Sequence, residues 1–155
     1  LLLESIKGSP FTLHKQDNAW VVTAPAQQAF NADRPNLLMP AMLRPITRIA
    51  KILEASPDTS VLILGHSDRA NDDSASHKLS AGRAGAVASI FRLSGLKRDR
   101  MMHLGMGSSF MLEQRKSALK NHRVEIIITQ HAQMQDVMAT YHPVYVRQLA
   151  LTQAR

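Results

Sequence analysis

The sequence predicts an α/β (α+β) sandwich, a mixed β-sheet with helices on one face and an extension at the C-terminal end. Two observations predict it. Apolar strand-like runs, "SVLIL" and "RVEIIIT", lie about sixty residues apart in the chain. Between and before them stand segments whose apolar residues recur with the period of a helix. Strands alternating with helices over 155 residues suit one layered domain with a real core.

The elements follow in order. "PFTLHKQDNAWVVTAP" reads as two short strands around a polar turn at Gln16 to Asn18. "FNADRPN" is loop-like, because Asn, Asp and Pro fall together. In "MPAMLRPITRIAKILEAS", Met42, Ile46, Ile49 and Leu53 share one helix face, and Pro45 is tolerated in the first turn. The strand from Ser60 to Leu64 is apolar on both faces, as a covered central strand should be.

A second helix is expected from about His77 to Ser94, closed by Gly95. "RMMHLGMG" is a third strand, and "SSFMLEQRKSALKN" a polar, partly helical connection. "RVEIIIT" is the richest segment in β-branched residues. After Gln130, "HAQMQDVMATYHPVYVRQLALTQAR" should be helical in two pieces, broken at Pro143. The resulting divisions are an N-terminal strand or hairpin segment (1–26), a main domain (27–130) and a C-terminal helical extension (131–155).

Composition narrows the function classes. Hydrophobic residues make up 45% of the chain and charged residues 20%, the balance of an ordinary globular protein. There is no cysteine, hence no disulfide frame and no thiolate metal site. The net charge of +7 favours anionic partners. Its residues are scattered, however, as at Arg44, Arg48, Lys51 and Arg92, so it biases encounter rather than forming a site. One Trp, two Tyr and the lack of a base-reading basic helix argue against nucleic acid. The chain opens at Leu1, so a longer precursor with its membrane anchor upstream is expected.

The stretch "GHSDRANDDSASHKLSAGRA" (65–84) carries the chemistry. Helix spacing places Arg83 between Leu79 and Val87, on the stripe that should face the sheet. A guanidinium there needs a partner. Asp68, at the carboxyl end of the preceding strand, is the nearest acid, at a rim where α/β folds collect ligands. The pair is either an architectural ion pair or a clamp for a zwitterion, with the guanidinium fork on a carboxylate and the acid on an ammonium. "GHSDR" also approaches the G-x-S-x-G elbow of hydrolases, with Ser67 as nucleophile. Arg69 stands where that tight turn needs a small residue, so catalysis is not expected. No cofactor or metal is expected either, since no second histidine has ligand spacing to His66, Asp68, Asp72 or Asp73.

"VLILGHSD … LSAGRAGAV … NHRVEIII" resembles the OmpA-like peptidoglycan-binding domain, over about residues 27 to 130. The family pattern runs G-H-T-D-x-x-G, then N-x-x-L-S-x-x-R-A, then N-R-R-V-E-I. The resemblance implies a βαβαββ fold and a non-catalytic role. It implies that Asp68 and Arg83 bind the diaminopimelate of the peptidoglycan stem peptide, Asp68 taking the ammonium and Arg83 the carboxylate. It implies a cleft lined by Phe30, Asn31, Asn71, Ser76 and Leu79. It further implies a Gram-negative periplasm, with attachment to the outer membrane through an anchor outside these residues. The partners would be peptidoglycan and other envelope or secretion-complex proteins. The alternative it leaves open is a structural component of a secretion system of the type IVB kind, using the fold as a protein–protein surface.

Several positions depart from the pattern. Ser67 replaces Thr, Asn71 replaces Gly, Ser76 replaces Asn (and can still cap the helix), and His122 replaces the first Arg of N-R-R. Ala32 lacks the second aromatic of the upstream segment.

Overall fold

A computed structural model describes residues 1–68, 73–110 and 121–141. Its strands are β1 (Thr12–Gln16), β2 (Ala19–Pro25), β3 (Thr59–His66), β4 (Met101–Gly105) and β5 (Arg123–Gln130). Its helices are α1 (Leu2–Ile6), α2 (Ala26–Ala29), α3 (Leu43–Glu54), α4 (Asp73–Leu93) and α5 (Met134–Ala139). The strands form a five-stranded sheet in the order β1-β2-β5-β3-β4. β5 runs antiparallel to both β2 and β3, and β4 runs parallel to β3, so the sheet is mixed as expected.

The hairpin forms around a turn in which Asp17 takes φ 50°. Asp is among the few residues that enter this left-handed region at low cost. β2 then pairs along most of β5, which makes the hairpin part of the sheet. β3 is buried along nearly all its length, as its two apolar faces demand. Val61 and Ile63 point to one side with Val124, Ile126 and Ile128 of β5. Met42, Ile46, Ile49 and Leu53 of the α3 stripe pack on that side, together with Val87 and Phe91 of α4. Leu62, Leu64 and Ile127 point to the other side, where Met138 and Tyr141 cover them.

Two expectations need correction. α4 begins at Asp73, not near His77, so Ser76 lies inside the helix instead of capping it. The stripe of α4 that faces the sheet is Ser76, Ser80, Arg83, Val87 and Phe91; Leu79 sits half-buried on its flank. The reason is space. Gly65 and Gly105 are paired across β3 and β4. A Cβ at Gly65 would strike the backbone of Ser80, and one at Gly105 the backbone of Ala81. The helix lies so close to the sheet that only small side chains fit its inner face there.

The connection expected at 108–121 falls largely in 111–120, outside the described residues. So do the second helical piece of the extension and its break at Pro143.

Candidate functional site

Asp68 follows the end of β3, Arg83 lies on the inner face of α4, and both act electrostatically on His122 at the start of β5. Asp68 is 3% exposed. The Asn121 side-chain amide donates to its Oδ1 at 3.0 Å. Ser76 donates to the Asp68 carbonyl at 2.9 Å, and Ser76 and Ser67 hydroxyls are in contact. Ser76 therefore fixes the backbone on which Asp68 rides. Ser67 is buried at 1% exposure, and its hydroxyl also donates to the Ser76 carbonyl. A hydroxyl so enclosed is not presented to a substrate.

Arg83 is 9% exposed. Its Nε donates to the Pro35 carbonyl at 2.9 Å. Its guanidinium carbon lies 5.3 Å from the centre of the Phe30 ring, in cation–π range. Among the described residues no carboxylate pairs with it, and its Nη1 is buried without a hydrogen-bond partner. Burial pushes the pKa of Arg83 down, though an arginine stays charged. The charge is thus held by a carbonyl and a ring, and the buried Nη1 is left without a partner.

The loop after α2 builds that seat. The Asn31 side-chain oxygen accepts from the N–H groups of Asp33 and Arg34, at 2.8 and 3.0 Å. This local turn is what an Asn does best. It carries the chain round to Pro35, while Phe30 bridges to Leu38. Gly82 opposes the Asn36 side chain, so the loop lies directly on α4. Asn31 thus shapes the loop that reaches Arg83. Asn71 lies outside the described residues.

Two residues given no role in the sequence reading, Asn121 and His122, belong to this rim. Asn121 holds Asp68, as above. His122, half-buried, is pushed below the ordinary histidine pKa by burial first and then by the Arg83 guanidinium, while Asp68 opposes the shift. It feels both members of the pair. The sequence signal for both was the "NHR" ahead of β5, in which Asn121 matches the family pattern and His122 departs from it.

Behind the sheet lies a second polar cluster. Buried His66 contacts Glu125 through Nε2, and Arg123 approaches the same Glu125 oxygen at 3.5 Å. Burial lowers the pKa of His66, and the His66 and Arg123 contacts hold Glu125 below the usual carboxylate range. A neutral imidazole donating to a carboxylate fits both shifts. Among the described residues no group of His, Cys, Asp or Glu has the arrangement of a metal site.

A mixed sheet backed by two helices, with a buried acid and a buried arginine near the carboxyl end of β3, defines an α+β sandwich. The chain belongs to the OmpA family, whose model matches residues 29–133. It is similar to the outer-membrane lipoprotein YfiB of Pseudomonas aeruginosa, 31% identical over 118 residues, which are 73% of this chain and 68% of YfiB. It is similar to the peptidoglycan-binding protein ArfA of Mycobacterium tuberculosis, 33% identical over 103 residues, 64% of this chain but 31% of ArfA. Its fold is similar to the solved cell wall anchor of the type VI secretion system from Pseudomonas aeruginosa. That match has a TM-score of 0.68 at 25% identity, and covers 84% of this chain and 94% of that one.

Proposed function

We propose that this chain binds peptidoglycan without catalysis, through the diaminopimelate of the stem peptide, and so ties an envelope assembly to the cell wall. Arg83 takes the side-chain carboxylate and Asp68 the neighbouring ammonium. The observation that carries the reading is the buried, unpartnered Nη1 of Arg83, with the buried Asp68 carboxylate acting on the same neighbour, His122. A guanidinium already anchored through Nε and stacked on Phe30 keeps its remaining edge for a ligand. An architectural ion pair would instead have used that edge. The family, and a relative named as peptidoglycan-binding, support the same reading. A periplasmic place with an outer-membrane anchor beyond these residues is part of the proposal; a relative named as an outer-membrane lipoprotein supports it.

A secretion-system component using the fold as a protein–protein surface would need apolar side chains after Gln130 to be free for a partner. Met138 and Tyr141 are buried against the protein's own sheet, so these two do not favour a partner surface. Val144, Val146 and Leu149 lie outside the described residues.

The test is calorimetric titration with free diaminopimelate, with lysine, and with muropeptides of both types. Lysine-type wall lacks the carboxylate that Arg83 would bind. Losing a charged hydrogen-bond partner costs on the order of 2–3 kcal/mol, or roughly a hundredfold in affinity. Equal affinity for both types would reduce Asp68 and Arg83 to architecture.

A further inference from the structure

We propose that His122 is a third ligand-contacting residue of this rim, and that it tightens the hold on the ligand's carboxylate when it carries a proton. The inference rests on the Asp68–Arg83 reading above and adds to it a residue and a dependence on pH.

The placement is geometric. Along β5, Val124, Ile126 and Ile128 all face α3 and α4. Strand alternation carries His122, two residues before Val124, to the same side. The last pair in the β3–β5 register is His66 with Arg123. Continued by one step, that register sets His122 opposite Ser67, and by two it sets Asn121 opposite Asp68. The Asn121–Asp68 hydrogen bond at 3.0 Å agrees with this. The His122 carbonyl accepts from the Ala26 N–H at 2.9 Å, which ties it to the short helix leading into Phe30. His122 therefore stands on the α4 side of the rim, half-buried, within electrostatic reach of Arg83 and Asp68.

Among the described residues the charged groups acting on it are Arg83 from α4 and Asp68 from the end of β3. α2 contributes none, being Ala-Gln-Gln-Ala, and Arg123 lies on the opposite face of the sheet with Glu125. With no ligand, a proton on His122 would add a second cation beside Arg83, with burial and Arg83 both opposing it. A carboxylate seated on Arg83 removes that repulsion and favours the proton. Binding and protonation are then linked, and each strengthens the other. A permanent Arg at this position would hold the carboxylate at any pH; His holds it conditionally.

The experiment is titration of the folded protein with diaminopimelate at about pH 7.5 and about pH 5.5, each in two buffers of different ionisation heat. Binding should be roughly three- to tenfold tighter at the lower pH, with net proton uptake, since each pKa unit gained on binding is worth tenfold. His122→Gln should still bind but lose both the pH dependence and the proton uptake. His122→Arg should bind with little change between the two pH values. A His122→Gln protein that keeps the pH dependence, or a wild type whose affinity is flat, overturns the inference and leaves the Asp68–Arg83 reading standing. A folded wild type that binds at neither pH overturns that reading too. NMR titration of the His122 ring in the wild type, with and without diaminopimelate, decides the matter even where a variant fails to fold. The ligand must raise its pKa.

Discussion

Arg83 is the residue on which most depends, and its two contacts leave part of it uncommitted. Nε is committed to the Pro35 carbonyl, the face to Phe30, and Nη1 remains. Lysine has one nitrogen and no planar edge, so it cannot hold the carbonyl and a carboxylate at once. Arg83→Lys is expected to lose at least roughly tenfold in diaminopimelate affinity, measured by calorimetry, while the circular dichroism spectrum is kept. Wild-type affinity in that variant would mean that charge alone suffices. Arg83 was legible because a cation on an apolar stripe is conspicuous in any helix pattern. The roles of Asn31 and Ser76 were not legible. A sequence shows that they can donate and accept but not which backbone groups will be near, and both turn out to bond the protein's own loops.

At the scale of elements, the strands and the α3 stripe were legible because their periodicity is undisturbed. The inner face of α4 was misread for a physical reason. An apolar template prefers Leu79, but the approach allowed by Gly65 and Gly105 admits only Ser76 and Ser80 at that depth. Such a preference belongs to the helix and sheet together and cannot be seen in either segment. The extension is the other case. Met138 is 3% exposed and packs with Leu62, Leu64 and Ile127. Met138→Ala is expected to cost about 2 kcal/mol or more, read as a lower urea midpoint at unchanged slope. A variant as stable as the wild type would mean that α5 adds nothing to the fold.

For the whole molecule, the buried titratable groups set the pH range of the fold. His66 and His122 both have folded pKa values below their ordinary 6.5, with burial the leading cause. Each favours its neutral form in the folded state. Their contribution is therefore complete above about pH 6.5 and is lost as the pH falls toward the folded values. Glu125, held below 4.5, contributes above that value and loses its share as the pH falls further. The melting temperature should be level at neutral pH, decline below about pH 6.5, and fall again below about pH 4.5. His66→Gln should flatten the first decline. A melting temperature unchanged between about pH 7 and 5 would contradict this account.

The strand order carries a consequence for how the chain comes to be folded. β5 (123–130), the last of the described strands in sequence, lies in the middle of the sheet with β2 on one side and β3 on the other. The hairpin at the start of the chain and the pair β3–β4 do not touch until β5 enters between them. A chain emerging from its amino end has therefore two half-sheets and no continuous one until β5 is available. Loop closure over such separations is slow. A protein that delays its own closure stays threadable for as long as its last strand is withheld, and Asn121 and His122 arrive at the rim with that strand.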